Sequence, residues 1–371
     1  MTLALRELRR RPGRFTVAAV ILSLIALLLM FLGGLLDGLT AGSTGALRAQ
    51  RGDLVVYSAT SQESLVRGRI EPDVRAEVER AAGEDAVGGL GSVQLGARLG
   101  DHDERDLVPV VVVGYEVAPR GLPDGVPAPG DVYADESLRA EGVAEGDAVR
   151  LGPARTGVRV IGFLDDSRYS GQGTLWGSLD TWRQVLGDNR PGERVGDDVV
   201  QALVVHAGSS DPEALAAEID RATGGATSTL TIAGAIDALP GVAQQQSVFN
   251  QIIGVTVVIA IVVVALFFAL ITVERTALYG VLKAIGAGSG TLFAGVLVQA
   301  LVVTAVAAVV GVAASLALDA ALPPGAIPFV ATPARLLSSV AYLVFAAVVG
   351  CSLSLRRVLR VDPASAIGGV Q

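Results

Sequence analysis

Four stretches of this 371-residue sequence run for twenty or more positions without a charged side chain, and they limit what the chain can fold into. They are residues 15–36, 252–273, 292–318 and 336–355. A helix of about 20 apolar residues covers the roughly 30 Å hydrocarbon core of a bilayer. Lipid offers the backbone no hydrogen-bond partners, so such a stretch has to close its own bonds as a helix. The composition agrees, with 51% hydrophobic and 18% charged residues and a mean hydropathy of +0.53. A cleaved signal peptide usually has an apolar region of only about 7 to 15 residues. The first stretch, Phe15 to Leu36, is longer, so it reads as a permanent anchor.

The expected fold class is therefore membrane α-helical, with four transmembrane helices and an α/β extracytoplasmic domain inserted between the first and second. Residues 1–14 read as an amphipathic N-terminal helix on the cytoplasmic side. Leu5 and Leu8 lie on one face and Arg6, Arg9 and Arg10 on the other, with Pro12 and Gly13 breaking it. The inserted domain covers 42–247, a cytoplasmic helix and loop 274–290, a short external loop 319–335 and a cytoplasmic tail 356–371.

Charge sets the orientation. Arg6, Arg9, Arg10, Arg11 and Arg14 precede the first span. Arg275 and Lys283 follow the second, and Arg356, Arg357 and Arg360 follow the fourth. Four spans put these ten basic residues on one side, the cytoplasm by the positive-inside rule. Only Glu7, Glu274 and Asp362 oppose them there, for a net +7, so a chain of −8 leaves −15 for the rest. Arg335, in the short external loop, is the exception.

The inserted segment reads as mixed α/β. Residues 53–57, 107–115, 148–151, 158–163 and 199–206 are apolar runs of strand length. Residues 72–82 and 211–222 carry helix-start signals and a helical apolar face. About 200 residues suffice for one domain or two small lobes. Cys351 is the single cysteine and sits in an apolar run, and His102 and His206 stand far apart. No Cys/His cluster has metal-ligand spacing, no catalytic set is visible, and no nucleic-acid partner is expected. The acid pairs Asp165–Asp166 and Asp197–Asp198 read as solvated surface.

Three short features invite functional readings. Gly34 and Gly38 have the small-xxx-small spacing that lets two helices approach, here at a seam with a second copy. After the second span, Leu278, Val281, Leu282 and Ile285 recur at i, i+3, i+4, i+7. That stripe suits either a groove on a partner protein or the membrane surface. Gly286 and Gly288 suit the end of that helix.

The order of one span, a large external domain and three further spans resembles the permeases of the MacB/FtsX-like group (type VII) of ABC transporters. Glu274-Arg275-Thr276-Ala277-Leu278-Tyr279-Gly280-Val281-Leu282-Lys283-Ala284-Ile285-Gly286-Ala287 resembles that family's cytoplasmic motif after the second span. Arg360-Val361-Asp362-Pro363-Ala364-Ser365-Ala366-Ile367 is similar to its Arg-x-x-Pro-x-x-Ala-type tail. Gly146 to Leu151 followed by Val158 to Gly162 looks like a strand pair of its external domain. Leu239-Pro240-Gly241, Gln244-Gln245-Gln246 and Leu266-Phe267-Phe268-Ala269-Leu270 are similar to the DevC/HrtB-type branch, which is associated with haem export.

The resemblance implies a permease subunit in a bacterial cytoplasmic membrane, with both termini cytoplasmic and a second permease copy in a homodimer. It implies coupling to a separate cytoplasmic ATPase, which holds ATP and magnesium, through Glu274, Arg275, Leu278, Tyr279, Val281, Leu282, Lys283, Ile285 and Gly286. The chain itself has no Gly-x-x-x-x-Gly-Lys-Ser/Thr loop and no cofactor of its own is expected. Haem is the best-matched substrate, and Met30, Asp37, Tyr57, Tyr169, Gln246 and Asn250 are candidate contacts for it. Export of peptides, drugs or lipids, or FtsX-like transmission of a signal to an external partner, are the alternatives.

Overall fold

The computed structural model describes residues 12–99, 107–274, 281, 285, 288–322 and 327–359. In chain order the helices are α1 (Pro12–Arg48), α2 (Pro72–Ala82), α3 (Leu179–Asn189), α4 (Pro212–Ala222), α5 (Ile232–Ala238), α6 (Val242–Glu274), α7 (Ser289–Ala321) and α8 (Pro333–Leu359). The strands are β1 (Leu54–Ser58), β2 (Val87–Arg98), β3 (Val108–Tyr115), β4 (Asp131–Asp135), β5 (Ala148–Leu151), β6 (Thr156–Leu164), β7 (Gly173–Ser178), β8 (Ala202–Val205) and β9 (Thr227–Thr231). They form two compact units, Met1–Gly38 with Gln246–Gln371, and Leu39–Gln245.

The first unit contains the apolar stretches. Helices α1, α6, α7 and α8 are each long and apolar enough to cross a membrane. All four expected spans lie inside them, and each helix runs on past its apolar stretch. The α1 helix continues to Arg48 because no proline or charge pair interrupts Leu39 to Leu47. The inserted unit therefore opens on helix, beginning at Leu39 rather than at residue 42.

Small residues set the spacing of the bundle. A Cβ on Gly311 of α7 would lie 2.8 Å from Ala26 Cβ on α1, and one on Gly350 of α8 would lie 2.6 Å from the Ile261 carbonyl of α6. These are the close backbone approaches that small residues permit in membranes. Phe15, Leu22, Val264, Phe268, Val303, Ala307 and Cys351 fill the interior. Cys351 is a packing residue, as its setting in the sequence implies.

The second unit is built from two lobes. Strands β1, β2, β8 and β9 pair antiparallel in the order β2-β8-β1-β9. Helices α2 and α4 cross between β1 and β2 and between β8 and β9, and pack together. This is a split βαβ arrangement of the ferredoxin-like kind. The second lobe is inserted between β2 and β8. Its strands run β2-β3-β7-β4-β6-β5 and return to β2, a closed ring of six. Closure leaves that lobe without a free strand edge. The β2 strand serves both lobes, since residues 87–90 pair with β8 and residues 97–98 with β5.

The expected strands and both expected helices of this unit are present as β1, β3, β5, β6, β8, α2 and α4. Asp211 accepts a hydrogen bond from Ala214 N at the start of α4, with Pro212 in the first turn. The β2, β4, β7 and β9 strands and α3 and α5 go beyond the sequence reading. The β2 strand, VGGLGSVQLGAR, is hidden by its glycines. Gly91 of β2 and Gly114 of β3 are register partners. Trp182 of α3 lies over both, fully buried. A Cβ on Gly91 would fall 2.5 Å from the indole, and one on Gly114 2.5 Å from Trp182 Cβ. The glycines are the floor that lets a tryptophan-bearing helix seat on the sheet.

Overpacking at such a contact costs about 1–3 kcal/mol. Gly91→Val is expected to lower the unfolding midpoint of the inserted unit. Both tryptophans, Trp176 and Trp182, are buried in that unit, so intrinsic fluorescence of the detergent-solubilised full chain reads its melting directly.

Candidate functional site

One face of α1, near the end of its apolar stretch, is stripped of side chains by Gly33, Gly34 and Gly38. The segment leading into α8 lies in that gap. A Cβ on Gly34 would meet the Phe329 ring at 2.4 Å, and one on Gly38 the Pro328 carbonyl oxygen at 2.2 Å. Phe329 stacks on Phe31 with ring centroids 5.6 Å apart. Val330 N donates to the Gly34 carbonyl at 3.1 Å. This is a correction to the seam expected at Gly34 and Gly38. Their face is occupied by the chain's own Pro328 and Phe329, because a Cβ-free groove admits the nearest strand of backbone.

Asp37 closes this latch. Its Oδ1 accepts from Arg335 Nη2 at 2.5 Å and Nε at 3.1 Å, and its Oδ2 accepts from Thr332 Oγ1 at 2.7 Å. Thr332 Oγ1 in turn accepts from Arg335 N at 3.3 Å, capping α8. The Arg335 stem runs over Gly33. Arg335, the exception to the charge rule, is thus neutralised within the chain. Asp37 is a structural anion whose acceptors are already engaged, so it is corrected from its place among the substrate contacts.

The other candidate contacts disperse. Met30 is buried, with its Sδ 3.2 Å from where a Gly311 Cβ would stand, so it packs α1 on α7. Gln246 is half-buried and Asn250 exposed, at the start of α6. Tyr57 and Tyr169 are core residues of the inserted unit. Burial pushes the Tyr169 phenol up to about 12 and raises Tyr57 further. Both stay neutral and enclosed, so neither is an open ligand. An aromatic residue in a folded domain is as much a core residue as a ligand contact, and these two are core.

Within the coupling stretch the structure describes Glu274, Val281 and Ile285. Val281 and Ile285 are exposed, and Ile285 N donates to the Val281 carbonyl at 3.1 Å, one helical turn. Arg275, Leu278, Tyr279, Leu282, Lys283 and Gly286 lie outside the described residues, as do the N-terminal helix over 1–11 and the tail beyond 359. Asp165, Asp166, Asp197 and Asp198 are exposed, and Asp166 pairs with Arg48 at 2.7 Å.

The bundle wall holds a feature that no motif announced. A groove of about 510 Å³ runs between α1 and α7, lined by Ala19, Val20, Leu24, Leu27, Val306, Val310 and Ala314, with Thr16 and Ser23 as its polar points. Beside it, Val17, Val20, Ile21, Leu24 and Leu28 form an unburied stripe on α1. On α6, Ile252, Val255, Ile259, Val262, Leu266 and Leu270 form another. No more than 44% of any span's most apolar window is buried within the unit, so most of the surface of these helices meets lipid or another chain.

Asp37→Leu leaves the Arg335 guanidinium unpaired beside α1. Full burial would make that loss ~3–5 kcal/mol; at this partly exposed pair about 1–3 kcal/mol is expected. The double change Asp37→Leu/Arg335→Leu is expected to recover part of the loss. Thermal unfolding of the three variants, followed by helical circular dichroism, checks both outcomes.

Residues 250–363 match the model of the FtsX-like permease C-terminal family. Over its full length the chain is 22% identical, across 380 aligned residues, to a protein of Staphylococcus haemolyticus named as a hemin transport system permease, HrtB, with 100% of each chain covered. A protein of the same name from Staphylococcus epidermidis is 22% identical over 372 residues, again with both chains fully covered. An uncharacterized ABC transporter permease of Mycobacterium tuberculosis is 37% identical over 113 residues, 30% of this chain and 31% of that one. Among solved structures, the periplasmic region of MacB from Actinobacillus actinomycetemcomitans aligns with 50% of this chain and 91% of its own, at 12% identity and a TM-score of 0.32. The stretch that matches the FtsX-like permease C-terminal family, residues 250–363, holds the second, third and fourth spans of what is a multi-pass membrane protein.

Proposed function

We propose that this chain is the membrane subunit of an ABC exporter that moves a hydrophobic, anionic amphiphile, with haem as its substrate. The observation that carries the reading is the end-to-end likeness to two hemin-transport permeases. The α1–α7 groove supports it, because an apolar slot open along the bundle wall suits a flat amphiphile already dissolved in the bilayer. The segregation of positive charge supports a topology with both termini in the cytoplasm and the inserted unit outside.

The chain supplies no ATP site of its own. Its single lysine, Lys283, follows Gly280-Val281-Leu282 and is in no phosphate loop. A separate cytoplasmic ATPase would act on the stretch from Glu274 to Gly288. The exposed Val281 and Ile285 lie one turn apart, as anchors for a groove on that partner. A second copy would lie against the open stripes of α1 and α6. Closure of the ATPase dimer would then rock the spans, narrow the groove and release its occupant outward.

Two outcomes follow. In lipid-reconstituted complex with the ATPase, hemin is expected to stimulate ATP hydrolysis saturably while an unrelated amphiphile does not. Filling the groove with Ala19→Trp is expected to lower the ratio of stimulated to basal rate. Equal response to all amphiphiles would shift the substrate class, and no response with basal activity intact would favour the signal transmitter. Separately, Val281→Asp with Ile285→Asp is expected to abolish co-purification of the ATPase while the chain still inserts in the membrane.

A further inference from the structure

The inserted unit has a cleft of its own, with a volume of about 540 Å³. Gly52, Ala86, Val117 and Val204 make its apolar walls, and Arg51, Arg120, His206 and Asp85 supply its polar groups. We propose that this cleft receives the exported molecule as an iron porphyrin, with His206 Nε2 on the metal and the arginines on its two carboxylates. The proposal rests on haem being the substrate and adds a binding site on the inserted unit.

Three observations carry it. The first is the imidazole. His206 Nδ1 lies 2.8 Å from Asp53 Oδ2, and the ring remains 65% exposed. The Asp53 carboxylate faces Nδ1, so Nε2 is the ring nitrogen turned away from it and left for a metal. Asp53 is itself fixed, since the same Oδ2 accepts from Ala207 N at 2.8 Å. A carboxylate behind one ring nitrogen, with the other nitrogen open, is the support that a metal-binding imidazole needs.

The second observation is the pair of guanidinium groups. Arg120 makes no ion pair among the described residues. Arg51 is held by the Leu122 carbonyl at 2.9 Å and pairs with Asp124, a residue whose side chain is 89% exposed. Exposed pairs of that kind contribute little, so an incoming carboxylate can exchange with Asp124. Asp85 is the one anion lining the cleft and opposes a ligand with more than these two carboxylates. The third is the wall. Gly52 admits Val204 so closely that a Cβ there would stand 2.3 Å from Val204 Cγ1, which keeps the floor apolar beneath a flat ring.

The test is a hemin titration of the full chain with its ATPase in lipid nanodiscs, read by the Soret band and by ATP hydrolysis. Wild type is expected to give an imidazole-ligated Soret spectrum. His206→Ala is expected to lose that signature, and Arg120→Gln to weaken binding ~10-fold, the loss of one charge-assisted hydrogen bond. Iron-free protoporphyrin is expected to keep the Arg120 dependence and lose the His206 dependence. Tryptophan fluorescence melting shows that each variant is folded, and Asp53→Asn, which frees the imidazole to turn, is expected to broaden or shift the Soret band. Hemin stimulation with spectra and affinities unchanged in every variant would overturn the cleft while leaving the exporter reading in place. Absence of both binding and stimulation in wild type would overturn the two together.

Discussion

Everything in the spanning unit follows from the lack of water in a bilayer. A peptide group there has to find its partner inside the chain, and only a helix provides one at every residue. The four long helices answer that demand, and the irregular backbone is placed elsewhere. Among the described residues, the irregular stretch pressed against a span, 327–332, is tied down group by group. Val330 N reaches the Gly34 carbonyl and Ala331 N reaches Asp319 Oδ1. Glycine on α1 makes this possible, since any side chain at residue 34 or 38 would hold the segment off the helix.

The same constraint explains the Asp37–Arg335 pair. Either charge alone at the end of a span would be costly, and together, with Thr332 on the free carboxylate oxygen, they are nearly satisfied. Pairs of this kind hold position more than they add stability. Here the pair ties α1 to α8, across two spans that lie between them in sequence. The stretch that matches the FtsX-like permease family is thereby tied, through α8, to a helix outside the matched residues.

The spans were legible because lipid selects on length and absence of charge, and both can be counted along a sequence. Helices α2 and α4 were legible because proline and acid residues mark their first turns. The latch was only half visible. Arg335 stood out as a charge on the wrong side and Asp37 as a charge at a span's edge, but 298 residues separate them and neither names the other. The β2 strand was invisible because glycine signals a turn in isolation, and only Trp182, about ninety positions later, shows why Gly91 belongs in a strand. Tyr57 and Tyr169 were named as ligand contacts from residue type alone, and burial, which a sequence does not print, is what encloses both. The α1–α7 groove had no motif to announce it, because a cavity is made by what two helices fail to fill.

The double membership of β2 has a mechanical meaning. A hinge between two lobes normally lies in a linker whose torsions can turn without breaking bonds. Here the boundary lies within one strand, paired with β8 over residues 87–90, with β5 over 97–98 and with β3 along 90–97 between them. Bending it would cost several ladder bonds at once. The inserted unit is therefore geared as a lever of one piece. The orientation of one lobe on the other is set by the course of a shared strand and not by the torsions of a linker.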